Sequence, residues 1–293
     1  MSTKDSEKPK VTLAGGVAGA VVIVVIFVGL FVFLFNIIMK QEDETNKLKE
    51  AQLHAGNGKG FTFKNEAEFK EAVISTLNEI AQERSKESLK SKLGDFELAA
   101  DIVPDGRKIY GSLDARFSLV EFSETECPYC IRHHKTMKDL VDASKGNVNW
   151  EWKHLPLGSH NPAAMTQAVI GECIAEQKGN RYFWAYIDEV FEQSRGGGQG
   201  VQDLLGLVES YDVDLGEIRK CAGSSDARDL VNEDVELAGN LGISGTPATY
   251  VVDNQTGNSQ MVTGAQPSGV FTSTIKRLMD QAEAQNEPQE LEE

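Results

Sequence analysis

The residues best suited to chemistry stand together in Cys127-Pro128-Tyr129-Cys130, directly after the strand-like run Phe117 to Ser123. Two thiols at this spacing can take up a disulfide, pass it on and resolve the mixed intermediate, provided one of them ionises readily. A cysteine at a helix N-terminus meets unpaired backbone N–H groups and the positive end of the helix dipole, and both favour thiolate. Pro128 suits the first helical position, where its missing N–H costs nothing. Cys130 then falls one turn later, within reach of a mixed disulfide on Cys127. Metal binding is the competing chemistry, because His133 and His134 complete a set of four nominal ligands with the two thiols. Structural zinc sites, however, draw on well-separated ligand pairs, and adjacent helical histidines point about 100° apart. The sequence therefore predicts no metal and no organic cofactor, and each histidine reads as a surface residue or a tuner of the local field. Soft thiolates leave copper binding open as a second class of function.

The elements that must position this pair can be read from pattern. Phe117 to Ser123 and Val148 to Leu155 read as strands, and Cys127 to Ser144 between them is long enough for a helix. Residues 162 to 240 read as several helices, broken by Ser194-Arg-Gly-Gly-Gly-Gln-Gly200. Ala248 to Val252 and Gln260 to Thr263 read as two strands joined by a turn, and a last helix runs from about Gly269 to Ala284. Strands alternating with helices imply an α/β layer structure. Glu121 lies inside an otherwise apolar strand, where burial of a carboxylate is costly; a solvent-facing position is the alternative.

Outside this block, Val11 to Met39 has no charged residue. At about 1.5 Å per residue that run gives a helix of about 43 Å, enough to cross a hydrocarbon core of about 30 Å. It is too long for a cleaved signal and is followed by no A-x-A site, so a single transmembrane anchor is expected over residues 11–39, after a cytoplasmic tail 1–10. Lys4, Lys8 and Lys10 before the run are balanced by Lys40, Lys47 and Lys49 after it, so charge alone does not orient it. The redox chemistry does, because disulfides persist outside the cytoplasm. The catalytic part is thus expected on the periplasmic or extracytoplasmic side of the inner membrane. Residues 40–60 read as a linker and 61–95 as a helical segment capped by Asn65 and Glu68, with Phe69, Val73, Leu77 and Ile80, continued by Leu89 and Leu93, as a stripe packed on the main domain or, alternatively, serving dimerisation. The main domain takes 96–284, and 285–293 is an acidic tail. A net charge of −16 without a basic cluster argues against nucleic acid.

Around the cysteine pair the sequence resembles the DsbA-like branch of the thioredoxin superfamily. Besides Cys127-Pro128-Tyr129-Cys130, three signatures carry the resemblance in order: Trp152 to Leu157 with His160-Asn161-Pro162-Ala163; Phe183-Trp184 with Phe191; and Gly242 to Ala248 around Thr246-Pro247. They cover about residues 100 to 280. The resemblance implies a thioredoxin-like α/β fold with a helical insertion at about 161–240, preceded by the single transmembrane helix. It implies Cys127 as the nucleophile, Cys130 as the resolving thiol and Glu121 as a proton carrier for it. Pro247 becomes a cis-proline, and Thr246 and Pro247, with Pro128 and Tyr129, become the substrate-binding surface. The implied function is thiol–disulfide exchange on unfolded or cysteine-containing exported proteins, as an oxidase reset by a membrane redox partner, with reductase or isomerase direction as the alternative. Cys173 and Cys221 are either two buried free thiols or a structural disulfide. An oxidising setting favours the bond, which would close a loop of about 49 residues and contribute roughly 4 kcal/mol.

Overall fold

A computed structural model describes residues 63–286, and the candidate anchor 11–39 and linker 40–60 lie outside the described residues. No helix among the described residues is long and apolar enough to cross a membrane. The chain divides into two compact units, Met1–Thr76 and Leu77–Glu293. The boundary falls within the first described helix, α1 (Glu66–Gly94).

Asn65 caps α1, its Oδ1 accepting the Glu68 N–H at 3.0 Å. The returning bond of a capping box goes one residue further back, from the Lys64 N–H to Glu68 Oε2 at 2.6 Å. The stripe expected to pack does so only at its end. Leu89 is buried and Leu93 packs against the core of the second unit, whereas Phe69, Val73, Leu77 and Ile80 are exposed. Helical spacing alone does not distinguish a face that meets a partner from one that does not.

The second unit is built on a five-stranded sheet of β1 (Lys108–Tyr110), β2 (Phe117–Ser123), β3 (Val148–His154), β4 (Ala248–Asp253) and β5 (Ser259–Thr263), in the order β1-β3-β2-β4-β5. β2 runs parallel to β3, and α2 (Pro128–Ala143) makes the connection between them. β4 runs antiparallel to β2 and β5 antiparallel to β4. Central β2 is covered on both faces, so it reads as a nearly continuous apolar run rather than an alternation. β5, at the edge, is mostly exposed and mixed in composition.

Between β3 and β4 the chain inserts five helices: α3 (Ala163–Lys178), α4 (Asn180–Gln193), α5 (Leu204–Glu209), α6 (Leu215–Gly223) and α7 (Asp226–Asn240). The last helix, α8 (Ser268–Asn286), closes the unit. An aromatic core ties insertion to sheet, with Trp150 and Trp152 of β3 meeting Trp184, Phe183 and Phe191 of α4 at ring separations from 4.4 to 6.4 Å.

Strand β1 is an addition to the elements expected from sequence, because Lys-Ile-Tyr is too short to show a period of two. Asn180 holds it in place: its Oδ1 accepts the Ile109 N–H, while its amide donates to the carbonyls of Ile109 and Ala100. The corner before it requires glycine, since Gly179 has φ +95° and a Cβ there would sit 2.5 Å from the Asp101 carbonyl oxygen. A further stitch joins three elements. The Trp152 indole N–H donates to His154 Nδ1, leaving Nε2 to face the buried Glu172 carboxylate, which also pairs with Lys108.

Candidate active site

β2 delivers the chain to the N-terminus of α2 with Cys127 as the cap residue, in extended backbone geometry, and Pro128 in the first turn. The Cys127 carbonyl accepts the Cys130 N–H at 3.0 Å, so the second thiol is wound back beneath the first. Cys127 retains 4% exposure and Cys130 none, while Pro128 is exposed and Tyr129 stands 59% exposed at the rim. Across from the pair, the Thr246–Pro247 peptide is cis, and the Thr246 carbonyl oxygen lies 3.5 Å from Cys127 Sγ. Half-buried Thr246 and buried Pro247 belong to the loop between α7 and β4, in which Gly242 to Ala248 line a groove of about 280 Å³ with Met261 and Thr263.

The two thiols are driven apart in acidity. Hydrogen bonding from Cys130 brings the Cys127 thiol down to about 5, against the opposing effect of burial, with Thr246 and the N–H groups of Cys130 and Tyr129 adding to it. Burial raises Cys130, and the same thiol interaction and the nearby Glu121 charge raise it further. At neutral pH the reduced pair therefore holds one thiolate, on the sulfur that solvent can reach.

Glu121 is fully buried beneath the pair, and burial pushes its carboxyl up to about 8. No hydrogen bond of ordinary geometry reaches either carboxyl oxygen, although Ser123 and Trp150 lie close enough to ease its ionisation. Thr249 of β4 is its register partner. His133 of α2 lies over both, its Nε2 2.9 Å from Thr249 Oγ1 and 3.7 Å from Glu121 Oε2.

The expectation of surface histidines at 133 and 134 is corrected, because both rings are buried. They point to different neighbours. His133 stacks near Phe271 of α8, whereas His134 sits among Trp150, Phe191 and Phe96 and pairs with Asp188 at 3.1 Å. Among the described residues no three His, Cys, Asp or Glu side chains converge as metal ligands. Cys173 of α3 and Cys221 of α6 are joined by a disulfide, at a Cα separation of 5.8 Å.

Two carboxylates that pattern reading passed over flank Cys127. Buried Glu124 pairs with His160 and accepts the Glu126 N–H, and Asn161–Pro162 after that histidine is a second cis peptide. Buried Glu126 turns the other way and gathers the glycine-rich loop. Its Oε2 accepts the N–H groups of Gly198 and Gly200 at 3.0 and 2.9 Å, its Oε1 bonds Ser194 Oγ, and its carbonyl accepts the Gly197 N–H. Gly196, Gly197 and Gly198 all have positive φ, which points their amides to one side. The signal was present in Glu124-Thr-Glu126 next to the cysteine and in Gly196-Gly-Gly198, but no period connects segments so far apart in sequence.

A parallel strand pair that carries a C-x-x-C to a helix N-terminus, faced by a cis-proline loop, defines a thioredoxin-type redox domain. Comparison with known proteins agrees: a thioredoxin family model matches residues 105–266. DsbA2 of Pseudomonas aeruginosa is similar in structure, with a TM-score of 0.54 and 32% identity over 64% of this chain and 96% of that one. A probable disulfide bond formation protein D of Bacillus cereus is 28% identical over 49% of this chain and 69% of its own. The Na(+)/H(+) antiporter NhaA 1 of Salinispora arenicola is 30% identical over 54% of this chain, which spans only 23% of the antiporter's length. The chain belongs to the thioredoxin family, in its branch of DsbA-like thiol–disulfide oxidoreductases.

Proposed function

We propose that the chain introduces disulfides into cysteine-containing exported proteins, with Cys127 as the exchanging sulfur and Cys130 as its resolving partner. A substrate thiolate attacks Cys127 of the oxidised pair. The Cys127–Cys130 bond breaks, Cys130 leaves as thiolate and takes up a proton, and a mixed disulfide joins Cys127 to substrate. A second substrate thiolate then attacks the substrate sulfur of that bond and expels Cys127 as thiolate. The substrate loses two electrons and the pair gains them. Residues 11–39 would anchor the domain on the extracytoplasmic face, where a membrane redox partner would reoxidise it. Pro128, Tyr129, Thr246 and Pro247 would form the surface on which an extended substrate chain lies, with backbone pairing at Thr246 giving contact without sequence reading.

The observation that carries this reading is the Cys127 thiol, brought down to about 5 at the mouth of the site. A thiol of low pKa is a good leaving group, and stabilising the reduced pair makes the disulfide oxidising. Equilibration of the pair against glutathione buffers tests it. A reduction potential near about −120 mV is expected for an oxidase, whereas a value near about −270 mV would make the protein a reductase.

A further inference from the structure

Glu121 poses a problem that the exchange mechanism leaves unsolved. A buried carboxylate needs a cation or several donors to ionise, yet both its oxygens lack a hydrogen-bond partner of ordinary geometry. Among the described residues its one ion-pair partner is His133. That ring is as dry as the carboxyl, and burial, with the neighbouring His134, brings it down to about 4. It is therefore neutral at working pH and has one N–H to offer.

The geometry determines where that N–H can go. Glu121 and Thr249 are opposite one another on adjacent strands, so their side chains share a face of the sheet. His133 Nε2 approaches both, within bonding distance of the hydroxyl and 0.8 Å further from the carboxyl oxygen than from it. On its other side Nδ1 has no partner, so nothing there fixes the tautomer. The remaining groups that act on this cluster are Ser123 and Trp150, which ease Glu121 ionisation, and Cys127, which opposes it.

We propose that His133 is a positioning residue for the Cys130 proton, its Nε2–H shared between the Thr249 hydroxyl and the Glu121 carboxylate. With Glu121 protonated, the N–H rests on Thr249 Oγ1. When Glu121 ionises, a small rotation brings the N–H to the carboxylate and replaces the missing cation with a dipole. The proposal rests on the exchange reading above. In the resolving step the Cys130 thiol gives its proton to Glu121, and its sulfur attacks Cys127 Sγ. The bond from Cys127 to the substrate sulfur breaks, and that sulfur leaves as thiolate and is protonated by water. Glu121 later releases the stored proton to solvent.

The test is the pH profile of resolution in the full chain, starting from a mixed disulfide between Cys127 and glutathione, from roughly pH 5 to 10. His133→Phe keeps the aromatic contact with Phe271 and removes the donor, so the profile is expected to move alkaline by about one unit. His133→Gln, which retains an N–H, restores part of the shift. Thr249→Val removes the competing acceptor and moves the profile acid, by about half a unit. Glu121→Gln removes the inflection and leaves a slower rate that climbs steadily with pH, as the Cys130 thiol itself ionises. Opposite shifts from two apolar replacements are not expected of a role in packing. If His133→Phe does not fold, the acid shift of Thr249→Val decides. Profiles of His133→Phe and Thr249→Val that superimpose on the unsubstituted protein, while Glu121→Gln alters it, would overturn the role of His133 alone. Failure of the unsubstituted protein to form or resolve the mixed disulfide at any pH would overturn the exchange reading and this proposal with it.

Discussion

The chain holds two pairs of cysteines in opposite circumstances. Cys127 and Cys130 are two free thiols three residues apart across a helix start, whereas Cys173 and Cys221 are bonded between two helices, 48 residues apart. The first pair meets solvent, a helix dipole, a cis-proline loop and a buried carboxyl. The second lies within two helices, beside charged and amide side chains such as Glu176, Gln177, Lys178, Asp214, Glu217 and Lys220. Identical sulfur chemistry thus gives a pair of free thiols of divergent acidity in one place and a crosslink in the other. What separates them is the difference in acidity within a pair. One thiol made more acidic and its neighbour less so gives a bond that opens in a defined direction.

The sharpest way to break this comparison is to remove each pair in turn. Cys127→Ser is expected to abolish exchange, a loss of more than about a thousandfold, with little change in folding. Replacing Cys173 and Cys221 together is expected to leave exchange intact and to lower stability by about 4 kcal/mol, read from urea unfolding. Equal loss of activity in both variants would show that the second disulfide takes part in the chemistry.

A smaller effect sharpens the contrast by pH. Cys127 is about 5 in the folded reduced protein, below its ordinary thiol value of 9.0. A group depressed on folding adds stability that is full above its unfolded value and is lost as pH falls through its folded one. The reduced form should therefore gain stability over the oxidised form between pH 5 and 9, at up to about 1.4 kcal/mol per unit. Glu121 acts with the opposite sign, because its folded value is raised to about 8 and its ionisation costs stability between 4.5 and 8. Comparing denaturant midpoints of the two redox forms separates the terms, since oxidation ties up Cys127 and Cys130 and leaves Glu121 as it was, and the raised Cys130 thiol stays neutral in this window; parallel curves would contradict the lowered pKa of the Cys127 thiol.

The smallest effect concerns the wall beside Cys127. Gly198 has φ +84°, and a Cβ there would lie 3.1 Å from His160 Cα. Gly198→Ala is expected to cost about 1 to 3 kcal/mol in thermal or denaturant unfolding. An unchanged midpoint would mean that the loop can relax freely.

The sequence was most legible where a local period met a chemical marker. Phe117 to Ser123 and Val148 to His154 announced strands, and Cys127 followed by Pro128 announced the helix between them. What escaped depends on register and on distant partners. Nothing local reveals that Thr249 faces Glu121, since that follows from how β4 aligns with β2. His133 and His134 carry a residue type common on surfaces, and only the sheet and insertion close over them. Conversely, Phe69 to Ile80 has the spacing of a packed face and remains open. The carboxylates of Glu124 and Glu126 gain their meaning from His160 and from residues 194–200, which arrive much later in the chain.

The Glu126 clamp limits how this site can diversify. One side chain, in the residue before Cys127, fixes three points of a loop whose glycines leave no side chain to vary. That flank is closed to retuning by substitution, since a change there disturbs the loop and the residue before Cys127 together. On the proposed exchange reading, new substrate preference would be written on the opposite rim, at Tyr129, Ser244, Gly245 and Met261, which are exposed. A library confined to Ser244, Gly245 and Met261 would explore recognition without altering the segment between the two cysteines.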